Sequence, residues 1–217
     1  RLWTGRGRMD ERVILGAACV AEGAEWLAAK DTRMAEAYAL TGALPLRLKP
    51  EGFGELLSAI VSQQVSVASA GAIWARLVAV GCDAPETVER MSQDDLRALG
   101  LSRQKAAYAK ALAEARIDYE ALRAAPSEDV IKTLVAVKGI GAWTAEIYAM
   151  FSLGRADVFA SGDLALQEAA RVLYGLETRP KEREMRAMAA QWAPWRAVAA
   201  RLLWAYYKDI KDREGIR

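Results

Sequence analysis

Of the side chains that move protons or hold developing charge, this sequence lacks the most versatile one, for it contains no histidine. Imidazole acid–base chemistry, His-based triads and His metal sites are therefore excluded. The two cysteines, Cys19 and Cys82, are isolated and too few to make a zinc or iron–sulfur site, and both read as small buried residues. Chemistry must run on a carboxylate, lysine, tyrosine, cysteine or serine. Candidates concentrate between residues 127 and 173. There the chain runs Val137-Lys138-Gly139-Ile140-Gly141-Ala142-Trp143-Thr144-Ala145 and, further on, Asp157-Val158-Phe159-Ala160-Ser161-Gly162-Asp163-Leu164. The first run is a tight Gly-x-Gly turn between two helical patterns. The second places the Asp163 carboxylate at the start of an amphipathic helix.

The turn suits anion capture. Gly139 and Gly141 let backbone approach a phosphate closely, and the second helix directs its free N–H groups toward it. Lys138 and Lys132 add positive charge. The carbonyls of Val135, Val137 and Ile140 suit a monovalent cation, Na+ or K+, that would bridge to a nucleic-acid backbone. Such contacts hold DNA without reading its sequence. Taken alone, Gly-x-Gly between helices is equally the pattern of a plain helical turn, and an aspartate at a helix start is commonly a cap.

The elements that must position these groups read as helical almost throughout. Residues 55–67 place Leu56, Leu57, Ile60, Val61 and Val65 on one face, residues 163–174 do the same with Leu166, Ala169, Ala170 and Leu173, and Val198, Leu202, Ala205 and Tyr206 form a further stripe. The acidic pair Glu128-Asp129 supplies first-turn charge to another helix without a full capping box. No run alternates as a half-buried strand does. Breaks at Gly81, Pro85, Gly100, Pro126, Gly154, Gly175 and Pro180 divide the chain into roughly ten helices, so the predicted fold is all-α.

Composition agrees with a folded, water-facing protein of one or two domains: 217 residues, 53% hydrophobic and 27% charged. No stretch approaches about 18 uncharged apolar residues, so no membrane span is expected. The basic start, Arg1-Leu2-Trp3-Thr4-Gly5-Arg6-Gly7-Arg8, lacks an apolar segment behind it and reads as a loose arm rather than a secretion signal. A cytoplasmic location is the corresponding expectation. The net charge of +2 excludes a histone-like polyelectrolyte but leaves room for a local basic face. The charged last residues, Lys208 to Arg217, are expected to fray.

With the hairpin and the following Asp163 in view, the chain resembles the helix–hairpin–helix, glycine/proline-rich loop, aspartate (HhH-GPD) superfamily of DNA glycosylases, and within it the DNA-3-methyladenine glycosylase II branch. A second stretch, Phe53-Gly54-Glu55-Leu56-Leu57-Ser58-Ala59-Ile60-Val61-Ser62-Gln63-Gln64-Val65-Ser66, looks like the first helix of that family. The likeness spans roughly residues 45–207, with two separated motifs in the family's order. The β-rich N-terminal domain of some members has no room here, so a compact version is expected.

The resemblance implies roles. Asp163 matches the catalytic aspartate, which stabilises the oxocarbenium character that develops as an N-glycosidic bond breaks. Asp157 is then structural, fixing the loop. Trp143 occupies the slot that holds a Schiff-base lysine in strand-cleaving members, so lyase chemistry is expected to be absent. Its aromatic face, with Trp195 and Tyr148, would form a pocket for an electron-poor flipped base. Relatives place an aromatic where this chain has Ile147. Gln64 falls where the family inserts a wedge into the duplex, and Lys138 replaces a common proline. No iron–sulfur cluster is expected and no cofactor is required. The expected partner is double-stranded DNA carrying a damaged base, bound by a monomer. Two lobes are expected, residues 52–155 and residues 10–51 with 156–217, with the active cleft between them. The rival readings are a glycosylase for deaminated bases such as hypoxanthine or uracil, a non-catalytic DNA-binding module, and an all-α protein-interaction domain.

Overall fold

The structure, a computed structural model, describes residues 11–214. The basic arm at Arg1 to Arg8 and residues 215–217 lie outside the described residues. Regular structure among the described residues is helical: α1 (Ala17–Lys30), α2 (Thr32–Thr41), α3 (Phe53–Val61), α4 (Val67–Ala79), α5 (Pro85–Arg90), α6 (Gln93–Ala98), α7 (Arg103–Glu114), α8 (Tyr119–Ala124), α9 (Ser127–Val135), α10 (Ala142–Ile147), α11 (Leu164–Tyr174), α12 (Glu182–Ala189) and α13 (Arg196–Glu214). A widened π-type turn, Tyr148–Ser152, continues α10, and a 3-10 turn spans Ala190–Trp192. Many starts are capped by short polar side chains. Asp31, Ser66, Ser92, Ser102 and Asp118 each accept a backbone N–H of the helix that follows, worth about 1 kcal/mol apiece. The six-residue helices α5, α6 and α8 exceed the number expected from sequence. Each buries a single residue, Val88, Leu96 or Leu122, and one apolar position makes no periodic stripe. No helix among the described residues is long and apolar enough to cross a membrane.

The chain forms two compact units. The first comprises Arg1–Leu46, Gly154–Phe159 and Leu164–Arg217, where α1, α2 and α11 pack with α13 around Leu27, Met34, Leu166, Ala170 and Leu202. Buried Arg201 donates to the carbonyls of Leu46 and Ala197, which satisfies a guanidinium that would otherwise be costly to bury. Arg196 grips Asp157 in a two-bond fork, at 2.7 and 2.9 Å. Asp157 thus ties its loop to the first turn of α13, as a structural residue should.

The second unit comprises Arg47–Leu153 and Ala160–Asp163. Here α7 packs against α3, α5 and α6, and α9 against α8 and α10. Leu56, Leu57, Ile60, Val61, Leu112 and Leu134 lie in its core. Lys110 caps the end of α5 by donating to the carbonyls of Val88, Glu89 and Met91.

Three sequence expectations are corrected. The helix read over 55–67 ends at Val61, and a new one starts at Val67 after a turn in which Gln64 takes a left-handed backbone, φ 54°. Val65 consequently leaves the apolar face and is exposed. The charged C-terminal stretch does not fray at Lys208, because α13 runs on to Glu214. Cys82 is buried as expected, which raises its thiol pKa, but Cys19 is only half-buried.

Two glycines within helices test this packing. A Cβ on Gly23 would stand 2.7 Å from both the Trp195 ring and Val198, whereas one on Gly71 would meet nothing within 4 Å. Gly23→Ala should therefore destabilise the protein by about 1–3 kcal/mol through overpacking, despite its better helix propensity. Gly71→Ala should stabilise it by up to about 1 kcal/mol. Denaturant unfolding followed by circular dichroism reads both, and stabilisation by Gly23→Ala would contradict the packing described.

Candidate active site

Asp163 ends the short Ala160–Asp163 turn, its N–H donating to the Ala160 carbonyl at 3.0 Å. Its Oδ2 accepts the indole N–H of Trp143 at 2.9 Å. The indole is a neutral donor, so this contact orients the carboxylate without cancelling its charge. Trp143 itself lies in the first turn of α10 and is 48% exposed, which is not the setting of a core tryptophan.

Beside it opens a pocket of about 270 Å³, small even against the roughly 300–1,000 Å³ of ordinary small-molecule sites. α3 forms one wall through Glu55, Leu56 and Ala59, continued by its C-cap Ser62. Trp143, Ile147 and Tyr148 form the other, continued by Ser152 at the end of the π-type turn. The Tyr148 oxygen accepts the backbone N–H of Gly52 at 2.8 Å, and burial holds its phenol above the ordinary tyrosine pKa. Asp163 stands outside the lining and is joined to it through Trp143. The structure thus brings Trp143, Tyr148 and Asp163 together. Trp195, expected as another aromatic wall, is not part of this lining. It is 2% exposed in the core of the first unit, its ring against Gly23 and under the Arg12 guanidinium at 4.3 Å.

The turn carrying Gln64 and the hairpin are pinned to each other. Gln63 Nε2 donates to the Gly139 carbonyl at 3.2 Å, and Lys105 Nζ, from α7, donates to the last carbonyl of α3, that of Val61, at 2.6 Å. Burial holds Lys105 below the usual lysine pKa. Between these anchors Gln64 is exposed with its left-handed backbone, a conformation that costs a non-glycine residue on the order of 1 kcal/mol and that functional loops retain. In the hairpin, Ile140 N–H donates to the Val137 carbonyl at 3.1 Å. A carbonyl has two acceptor sites, so this bond leaves one for a cation. Lys132, Lys138 and Gly141 are exposed, and Gly139 is half-buried with φ 100°.

Sequence reasoning missed Glu55, Ser152, Lys49, Gln63 and Lys105. The first two carried a signal: Thr144, Tyr148 and Ser152 recur every fourth residue, and Glu55, Ser58, Ala59 and Ser62 form a polar or small stripe on an otherwise apolar helix. Lys49 pairs with Glu55 at 2.9 Å. Gln63 and Lys105 act on backbone carbonyls, which no side-chain pattern advertises.

A fold in which a helical hairpin is followed by an aspartate tied to the hairpin's second helix defines a class, and comparison with known proteins agrees. The family described as HhH-GPD superfamily base excision DNA repair protein matches residues 57–194, and the chain belongs to that superfamily. The chain is 33% identical over 178 residues to DNA-3-methyladenine glycosylase 1 of Schizosaccharomyces pombe, covering 78% of each. Among solved structures, a DNA-3-methyladenine glycosidase of Bacillus halodurans superposes with TM-score 0.80 at 35% identity, covering 88% of this chain and 91% of that one. The Schizosaccharomyces pombe 3-methyladenine DNA glycosylase in complex with abasic DNA gives TM-score 0.72 at 30% identity, covering 84% and 95%. The chain spans about three fifths of the length of other curated relatives it matches, 60% of one from Bacillus subtilis and 57% of one from Escherichia coli.

The hairpin has one position where backbone freedom is required. A Cβ on Gly139 would stand 2.4 Å from the Tyr108 ring, and its φ lies in the left-handed region. Gly139→Ala should cost about 2–4 kcal/mol from strain and overpacking together, read as a lowered thermal midpoint. A midpoint equal to the parent's would show that the hairpin does not press on α7.

Proposed function

We propose that this protein is a monofunctional DNA glycosylase that hydrolyses the N-glycosidic bond of alkylated purines, of the 3-methyladenine and 7-methylguanine type, in duplex DNA. The observation that carries the reading is the hydrogen bond from Trp143 to Asp163 at the edge of a small pocket, in a chain of the base-excision superfamily.

In this mechanism the hairpin around Gly139 and Gly141, with Lys132 and Lys138, grips phosphates without reading sequence. The carbonyls of Val135, Val137 and Ile140 would hold a monovalent cation, which would supply further positive charge toward the DNA backbone. Gln64 enters the duplex from its pinned turn and fills the gap left by the flipped base, lowering the cost of unstacking. The base lies against Trp143, whose π face favours a cationic ring. Alkylation at N3 or N7 already makes the purine a good leaving group, so its departure needs no acid, which suits a chain without histidine. As the bond to C1′ breaks, the bonding pair leaves with the base and positive charge grows on the sugar. The Asp163 carboxylate stabilises that charge and orients the water that attacks C1′. The water's proton is released and an abasic site remains. With tryptophan in place of a lysine nucleophile, the strand is not cut. The enzyme acts as a monomer in the cytoplasm.

The test is to incubate methylated duplex DNA with the parent protein and with Asp163→Asn, identifying released bases by mass spectrometry. The parent should release methylated purines and leave strands that break only on alkaline treatment. Asp163→Asn should lose roughly 10²–10³-fold or more in release rate while keeping its affinity for abasic DNA. No release of methylated purines by the parent would overturn the proposal. Trp143→Phe, which keeps a ring but removes the N–H, should lower release by roughly tenfold, measured under single-turnover conditions.

A further inference from the structure

The pocket beside Trp143 contains polar groups that the chemistry above does not use. The Glu55 side chain is only 19% exposed, and one of its oxygens takes the Lys49 ammonium at 2.9 Å. Ser152 is 8% exposed, and its hydroxyl makes no hydrogen bond to another described residue. A buried hydroxyl left unpaired is costly, and such groups are retained where something else completes them. The other contributors are apolar Leu56, Ala59 and Ile147, the hydroxyl-bearing Ser58 and Thr144, and groups already engaged, such as the Tyr148 oxygen.

These groups have definite demands. A carboxylate only accepts hydrogen bonds, and Glu55 keeps lone pairs beyond the one Lys49 occupies. A serine hydroxyl both donates and accepts. Flipped bases are read on their pairing edge. On that edge adenine carries its amino group at C6 beside N1, an acceptor. Guanine carries a carbonyl at C6 and its amino group at C2, on the other side of N1–H, a donor, so guanine would present its amine to Glu55 turned over relative to adenine. Hypoxanthine has a carbonyl in place of adenine's amine. In ethenoadenine the amine and N1 are closed into a ring with no N–H.

We propose that Glu55 and Ser152 select the base by its exocyclic amino group, Glu55 accepting an amino N–H and Ser152 meeting N1 as donor or acceptor. The inference rests on the glycosylase reading above and narrows it: amino-bearing alkylpurines enter, and deaminated or ring-closed purines are refused. A carbonyl facing Glu55 sets acceptor against acceptor, and a polar site left unpaired discriminates more strongly than a missing apolar contact does.

The experiment compares single-turnover release of 3-methyladenine, 7-methylguanine, hypoxanthine and ethenoadenine by the parent, Glu55→Gln and Ser152→Ala. The parent should release the two methylated bases and be at least tenfold slower on the other two. Glu55→Gln should lose roughly tenfold on the methylated bases and gain on hypoxanthine relative to 3-methyladenine, because its amide N–H can donate to the carbonyl. Ser152→Ala should lose severalfold on the methylated bases alone. Unchanged ratios among the four bases in both variants would overturn this inference and leave the glycosylase reading intact. A parent that releases no methylated base overturns both. If thermal melts show that Glu55→Gln is unfolded, Ser152→Ala decides, and parental rates on the methylated bases would refute the selection.

Discussion

The functional reading turns on a neutral hydrogen bond between two side chains of the second unit. A carboxylate that is to meet positive charge on a sugar must be held in place while remaining an anion, and these demands conflict when the holder is a cation. Asp157 shows the conflict resolved for structure: Arg196 grips both its oxygens and the pair serves as a tie. At Asp163 the Trp143 indole N–H is a neutral holder. Because Trp143 also lines the pocket, a single rigid ring sets the distance between the place where a base would rest and the carboxylate that would act on its sugar. Short spacers with few rotatable bonds hold such geometry well.

The second constraint is mutual. In the proposed mechanism a wedge is useful only if its turn does not relax when loaded, and a phosphate-gripping hairpin only if its backbone keeps its direction. In the second unit each restrains the other. Gln63 holds the Gly139 carbonyl, Lys105 holds the end of α3, and Gly139 lies so close to the Tyr108 ring that no side chain fits. Both Tyr108 and Lys105 belong to α7, so one helix braces the turn and the hairpin together. The left-handed backbone at Gln64 is the local cost of this arrangement.

How much of this was legible in sequence follows from what each feature is made of. The helical fold, the hairpin and the helix after Asp163 are written in apolar periodicity and glycine placement, which act locally, and they were read. The break after Val61 was not, because Val65 continues the 3.6-residue rhythm while Gln64 departs from it through a backbone angle that glutamine does not announce. The tie between Asp157 and Arg196 was expected only as a role, since residues so far apart meet through folding alone. Trp195 shows the opposite limit. Motif position made it a pocket candidate, but its ring fills the space left by Gly23, and one glycine in an alanine-rich helix gives no hint of which ring it admits. Ser152 was hidden for another reason: a pocket residue is recognised by an unmet hydrogen bond, and that exists only after packing.

The absence of histidine connects these observations. An enzyme that removes neutral bases gains from a group poised to protonate the leaving ring, and imidazole serves that need near neutral pH. The pocket here offers a carboxylate tied to lysine, serine and threonine hydroxyls, and a tyrosine oxygen already used by Gly52. Burial raises the Tyr148 pKa further from neutrality, making it a poorer proton donor. Such a lining is suited to recognising a base rather than protonating it. Under the proposed function the substrate would carry its own activation, as a positively charged alkylpurine does. Within the proposed function, proton economy and hydrogen-bond pattern agree on one class of lesion.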